Sequence, residues 1–252
     1  VTQSSFSQAR LKIKPEAFKV LSDDCTDFFY EHYDFKKWNG FRLVAIDGSE
    51  LMLPKNKETI KEYGEYTTNF MNKNIVLARL SKAFDVLNGI TLDARLSNKK
   101  TGEHSLANLH LEKLVEGDLL LYDRGYPSYD LFRNALAAGC QFCARVAVNN
   151  WSVSKRLVES GQKDIIAEIK PGYELAKKYK KQGIDFKPIT CRFICVELKG
   201  GEKEVLITSL TDIEQYPHEL FKRLYHLRWG VEENFKIKKC SFFTIKGFWG
   251  FG

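Results

Sequence analysis

Two apolar runs, each closed by an aspartate and a nearby glycine, restrict this chain most. Arg42-Leu-Val-Ala-Ile-Asp47-Gly-Ser carries one, and Leu119-Leu-Leu-Tyr-Asp123-Arg-Gly-Tyr the other. A strand without polar alternation is covered on both faces, as in a sheet with helices on each side. Each run therefore predicts a buried strand with a carboxylate at its C-terminal end. Ile75 to Leu87 and Ile90 to Leu96 predict two more strands around Asn88-Gly89, a strong signal for a two-residue hairpin. Glu103 to Leu114 reads as a helix. Ser128 suits the cap of a helix running to about Ala138. Gln141 to Val148 reads as another strand. The succession strand, hairpin, helix, strand, helix, strand predicts an α/β fold with mixed strand directions.

The flanking regions differ in composition. Residues 1–40 predict an N-terminal helical segment: Pro15 opens a stretch in which Phe18, Leu21, Cys25, Phe28 and His32 recur at helical steps. Residues 149–205 are rich in Lys and carry Pro171-Gly172 and Gly200-Gly201 turns. Strand-like stretches near 186–198 and 203–209, with a helical turn from Tyr173 to Lys181, predict an inserted β-rich subdomain. The α/β core would then comprise 41–148 and 206–240. Residues 241–252 form an atypical tail, aromatic and Gly-rich without a helical period. The chain begins with Val1 rather than Met, as a fragment would.

From Pro217 to Lys239 the sequence predicts one amphipathic helix. Leu220, Leu224, Leu227, Val231 and Phe235 recur at steps of four, three, four and four. Tyr225, Arg228, Glu232, Lys236 and Lys239 fall within roughly 80° of one another beside that stripe. Such a face is most simply a solvated one, with Glu232 paired to Arg228 or Lys236. It is also what a metal-binding carboxylate set among phosphate-binding cations would look like.

The whole chain narrows the classes. Its 252 residues, 44% of them hydrophobic, suffice for one sizeable core. A formal net charge of +7 favours a polyanionic partner. No apolar run approaches the roughly 20 residues of a membrane span, and no signal-peptide pattern opens the chain. A cytoplasmic setting without a membrane partner is expected. Of the six cysteines, Cys140/Cys143 and Cys191/Cys195 lie in strand-like runs without turn residues. They read as buried thiols before zinc ligands. Trp151 reads as a core or loop residue, and the Lys177-Lys178-Tyr179-Lys180-Lys181 cluster as a solvated face or a phosphate track.

Asp47, Asp123 and Glu232 then form a possible set. Adjacent strands would place the two aspartates side by side, and crowded carboxylates are costly alone. Hard oxygen ligands suit Mg²⁺ or Mn²⁺. Two such ions about 4 Å apart activate a water or hydroxyl and stabilise a leaving oxygen at phosphate.

Ala45-Ile-Asp47-Gly-Ser, Tyr122-Asp123-Arg-Gly-Tyr126 and Tyr225-x2-Arg228-x3-Glu232-x6-Lys239 resemble the motifs of the insertion sequence 4 family of DDE transposases. The last reproduces the family's Tyr-Arg-Glu-Lys signature, and the resemblance covers roughly residues 8–240. It implies a ribonuclease H-like catalytic fold with a β-rich insertion between the second Asp and the Glu. It implies that Asp47, Asp123 and Glu232 hold two divalent ions. Tyr225, Arg228 and Lys239, with Lys236 beside them, would contact phosphates of double-stranded DNA. The implied reaction is cleavage at transposon ends and attack of the freed 3′-hydroxyl on target DNA, by a homodimer at the bacterial nucleoid. Arg124 and Arg145 could also reach DNA. A short N-terminal part and the unfamiliar tail after Lys239 point to a truncated or frame-shifted copy. Two other readings stay open: a ribonuclease H-like nuclease without strand transfer, and a DNA-binding regulator without catalysis.

Overall fold

In the computed structural model, which describes residues 2–10, 12–68, 73–198 and 200–236, strands from both apolar runs lie at the centre of one sheet. The described strands are β1 (Arg42–Leu53), β2 (Glu65–Thr68), β3 (Lys73–Asp85), β4 (Ile90–Asn98), β5 (Asp118–Tyr122), β6 (Gln141–Val146), β7 (Asp164–Ile169), β8 (Ile189–Glu197) and β9 (Lys203–Thr208). The described helices are α1 (Gln3–Arg10), α2 (Pro15–His32), α3 (Lys57–Tyr63), α4 (Glu103–His110), α5 (Tyr129–Ala137), α6 (Ser152–Ser160), α7 (Tyr173–Lys181) and α8 (Glu219–His226). The chain divides into two units after Lys36; α1 and α2 belong to the first and the sheet to the second.

The sheet runs β2-β3-β1-β5-β6-β9-β8-β7, with β4 also on β3. β1 pairs antiparallel with β3 and parallel with β5, and β5 pairs parallel with β6. An antiparallel β4-β3-β1 meander followed by two parallel strands, with helices on both faces, is a ribonuclease H-like layout. Arg42 and Asp118, both buried, join the starts of β1 and β5 through two bonds of 2.7 and 2.8 Å. Residues 149–205 hold α6, β7, α7 and β8; β8 pairs with β9 and β9 with β6, so these strands lengthen the same sheet.

Several local expectations change. β1 does not stop at Asp47 but runs on to Leu53. Its parallel ladder with β5 ends at Ile46↔Tyr122, while its antiparallel ladder with β3 continues to Leu53↔Val76. The β3–β4 hairpin has a four-residue loop, 86–89, rather than two. The Asp85 carboxylate accepts from the N–H groups of Leu87 (3.0 Å) and Asn88 (3.1 Å), which holds that wider loop, and Gly89 takes φ +73°. β6 ends at Val146, followed by a 3₁₀ turn over Val148–Asn150. α6, β7, α3 and β2 had no expectation.

The expected single helix from Pro217 is two helical segments. α8 begins at Glu219, a turn covers 227–228, and helix resumes over 229–236. Across the break the N–H groups of Leu227, Arg228, Gly230 and Val231 bond carbonyls three residues back, at 3.0–3.2 Å. This is the tighter 3₁₀ pattern. Gly230, a weak helix former, lies inside it and packs its bare Cα side against Val86. The buried stripe is also rotated from the expected one, already ahead of the break. Phe221, Leu224, Tyr225, Arg228, Val231 and Phe235 are buried, whereas Leu220 and Leu227 are only half-buried.

That stripe covers one face of the sheet, against Leu43 and Ala45 of β1, Leu119 and Leu121 of β5, and Leu206 of β9. Burying a side chain such as Phe221 or Leu224 contributes about 2 kcal/mol. On the opposite face α4 packs on β3 and α5 on β6, where Phe132 stacks on Phe142 at 3.9 Å. Ser128 caps α5, accepting from Leu131 N–H. Cys140, Cys143 and Cys191 are buried, and burial pushes their thiols up to about 12. Trp151 is half-buried beside Phe193. Among the described residues no helix is long and apolar enough to cross a membrane.

Candidate active site

The end of the parallel β1–β5 ladder fixes the two aspartates. Ile46↔Tyr122 is its last pair, so Asp47 and Asp123 occupy the next positions on adjacent strands. Alternation along β1 and β5 sends Leu43, Ala45, Leu119 and Leu121 to the α8 face, and Asp47 and Asp123 follow in phase. Asp47 Oδ1 accepts from Gly48 N–H at 2.9 Å. Asp123 Oδ1 accepts from Arg145 Nη2 of β6 at 2.8 Å and from the Tyr225 hydroxyl at 3.2 Å. The Tyr225 hydroxyl also reaches the Tyr122 carbonyl at 3.4 Å. Arg145 spans two strands, since its Nη1 donates to Glu204 of β9 at 2.6 Å.

Glu232 enters from the segment beyond α8. It is half-buried and accepts from Arg228 Nη2 at 2.5 Å. Arg228 is only 2% exposed, and its Nε and Nη1 have no hydrogen-bond partner among the described residues. Its guanidinium lies 5.7 Å from the Tyr225 ring and 5.6 Å from that of Trp229. Tyr225 and Arg228 therefore belong to the buried side of this segment, not to a solvated face. Lys236 is exposed and paired with Glu233 at 2.6 Å. Lys239 lies outside the described residues.

The electrostatics tie these groups together. Burial raises the Asp47 carboxyl to about 6, and the Glu232 and Asp123 carboxylates add to the rise against the pull of Gly48 N–H and Arg228. Burial also works against ionised Asp123, but the Arg124 N–H, Arg228 and Arg145 outweigh it and hold its carboxyl below the usual range. Burial raises the Tyr225 phenol well above its ordinary value. So Asp47, Asp123, Glu232 and Arg228 act on one another, Tyr225 touches Asp123, and Lys236 stands at the margin. Among the described residues no group of three His, Cys, Asp or Glu side chains is arranged to hold a metal ion.

Two neighbours were not foreseen. Lys82 of β3 stands opposite Asp47 in the antiparallel register, is 2% exposed, and donates to Asn234 at 2.8 Å. Glu204 anchors Arg145 from 59 residues away. A lone Lys in a strand and a lone Glu near a turn carry no spacing signal. A cleft of about 620 Å³ opens beside the site, its charged lining mainly basic (Arg145, Lys222, Arg223 and Arg228) but including Glu204 and Glu219.

Acids in phase at the end of a parallel strand pair, faced by a helical Glu, the buried Arg228 and the half-buried Arg145, define a carboxylate-centred site on a ribonuclease H-like sheet. The chain belongs to the transposase DDE domain family, whose model matches residues 38–245. This bears out the family expected from the sequence. The chain is similar to the transposase InsG for insertion sequence element IS4 of Escherichia coli (strain K12), at 23% identity over 236 residues, 94% of this chain and 52% of that one. It is similar to the putative transposase InsZ of the same strain, at 26% identity over 142 residues, 56% of this chain and 48% of that one. The chain spans about half the length of these curated relatives. A cryo-EM structure of a piggyBac transposase synaptic complex with hairpin DNA overlaps 78% of this chain and 40% of its own, at 13% identity and a TM-score of 0.45.

Proposed function

We propose that this domain cleaves DNA at the ends of a mobile element and joins the freed 3′-hydroxyl to double-stranded target DNA. The observation that carries this reading is Arg228. It is buried beside Asp47, Asp123 and Glu232, with its Nε and Nη1 lacking a partner among the described residues. Buried donors are rarely left unpaired, and a guanidinium fork suits phosphate oxygens. Family membership supports the same chemistry.

Asp47, Asp123 and Glu232 would hold Mg²⁺ or Mn²⁺, two ions in all. Their hard oxygen donors suit such ions by chemistry, and a cation would offset the burial and neighbouring carboxylates that raise Asp47, while the described side chains are not yet gathered into a ligand set. Bound ions would supply Lewis acidity and an activated water or hydroxyl. The chain's own groups do the rest. Arg228, with the Tyr225 hydroxyl, Lys236 and Lys239, would hold the phosphates flanking the scissile bond. Arg145 keeps Asp123 ionised, and Arg124 is exposed on the adjoining turn. The partner would be double-stranded DNA, the working form a homodimer, and the setting the bacterial nucleoid.

The pairing of Glu232 with Arg228, and of Asp123 with Arg145, favours a second reading: a DNA-binding regulator that does not cut. An assay with a labelled duplex, carrying the inverted repeat that flanks the reading frame, separates the two. Incubated with plasmid and Mn²⁺, the labelled strand should become joined to the plasmid, and the Asp123→Asn variant should not join it. Cleavage without joining would leave a nuclease; retention of the duplex without either reaction would leave the regulator.

A further inference from the structure

α4 brings another carboxylate to the same strand ends, from the face of the sheet opposite Glu232. Alternation along β1 sends Asp47 to the α8 face and Gly48 to the α4 face. A β-carbon on Gly48 would stand 3.5 Å from Glu103 Oε1 and 3.6 Å from the Tyr126 hydroxyl. One on Gly125, two residues after Asp123, would stand 3.9 Å from Glu103 Oε2. Each aspartate is thus followed by a glycine whose open side faces Glu103.

A second observation points to a ligand here. Tyr126 is 2% exposed, and its hydroxyl has no hydrogen-bond partner among the described residues. Its ring is fixed between Tyr122 (5.7 Å) and His104 (6.1 Å), both stacked on it. His104, next to Glu103 in α4, donates from Nε2 to the Gly125 carbonyl at 2.9 Å, and its Nδ1 meets the Ser128 hydroxyl at 3.3 Å. α4 therefore clamps the turn that carries Asp123. Glu103 itself is loosely held: Arg79 Nη1 stands 3.5 Å away and donates instead to the Thr101 carbonyl at 3.1 Å. A first-turn Glu favours a helix N-terminus, but that does not account for the unpaired phenol beside it.

We propose that Glu103 is a further cation-binding carboxylate of this site, with the Tyr126 hydroxyl donating to an oxygen ligand beside it. The proposal rests on Asp47 and Asp123 being cation ligands. Glu103 would close the site from the α4 face as Glu232 does from the α8 face. Mg²⁺ keeps several waters when bound, and a carboxylate and a phenol suit such waters as partners.

The test is Mn²⁺ titration by calorimetry on the full chain, its Glu103→Gln, Glu103→Asp and Asp47→Asn variants, and a charge control. Glu50→Gln serves as the control, since Glu50 is on the same strand and paired with Lys99. Melting without metal would confirm that each variant folds. Glu103→Gln should bind Mn²⁺ about tenfold more weakly or worse, Glu103→Asp should fall between it and the parent, and Glu50→Gln should match the parent. Glu103→Gln binding like the parent while Asp47→Asn loses binding would overturn the role of Glu103 alone. So would Glu50→Gln weakening binding as much as Glu103→Gln. Binding absent in the parent, or unchanged in Asp47→Asn, would overturn the underlying site and this proposal with it.

Discussion

Asp47 is held in a form that the fold disfavours. Its carboxyl is raised to about 6 from 3.8, chiefly by burial and further by Glu232 and Asp123. Between roughly pH 4 and pH 6 the unfolded chain has already lost this proton and the folded chain still keeps it. The unfolded state binds fewer protons there, so stability falls as pH rises, and above about pH 6 the full cost remains. Two pKa steps correspond to about 2 kcal/mol after allowance for partial exposure. Asp47→Asn should therefore melt higher than the parent at pH 8, and the gap should shrink toward pH 4. Thermal melts across that range would check it, and equal gaps at both ends would contradict the assignment. Arg228 carries a different cost: it is buried with its Nε and Nη1 unpaired among the described residues. Functional sites are where such local costs persist.

At the scale of elements, the face that this helical segment buries differs from the expected one. The apolar period alone would put Tyr225 and Arg228 beside the stripe; both are instead buried within it, with Phe221 in the place expected of Leu220. Leu224 lies at the centre of the cluster joining this segment to β1, β5 and β9, and is fully buried. Leu224→Ala should cost about 3 kcal/mol, read as a lowered denaturation midpoint with an unchanged slope. A loss under about 1 kcal/mol would mean that α8 is not seated as described. β1, β5 and α5 were legible because their apolar runs and the Ser128 cap are local signals. β7 was not, because it turns Ile166 outward, 48% exposed, so its pattern resembles neither a buried run nor clean alternation. The helix break was not legible either, since one Gly in a strong apolar period does not announce a 3₁₀ turn.

For the molecule as a whole, the site is assembled by pairing across long sequence gaps. Asp47 and Asp123 meet because β1 and β5 share a ladder, and Arg42–Asp118 joins the other end of that ladder across 76 residues. The acids themselves could be named from sequence, two at the ends of apolar runs and one by the Tyr225-Arg228-Glu232 spacing. Their companions Lys82, Glu204 and Glu103 could not, because only the register of the sheet and the seating of α4 bring them near. Asp47, Asp123 and Glu232 are proposed to form one working cation site for DNA cleavage. Its most direct test is nicking of supercoiled plasmid in Mn²⁺ by this chain and by Glu232→Ala, both first shown to be folded by circular dichroism. Nicking by the parent that disappears in the variant is the expected result. Two folded proteins that both nick equally, or that both leave the plasmid intact, would contradict it.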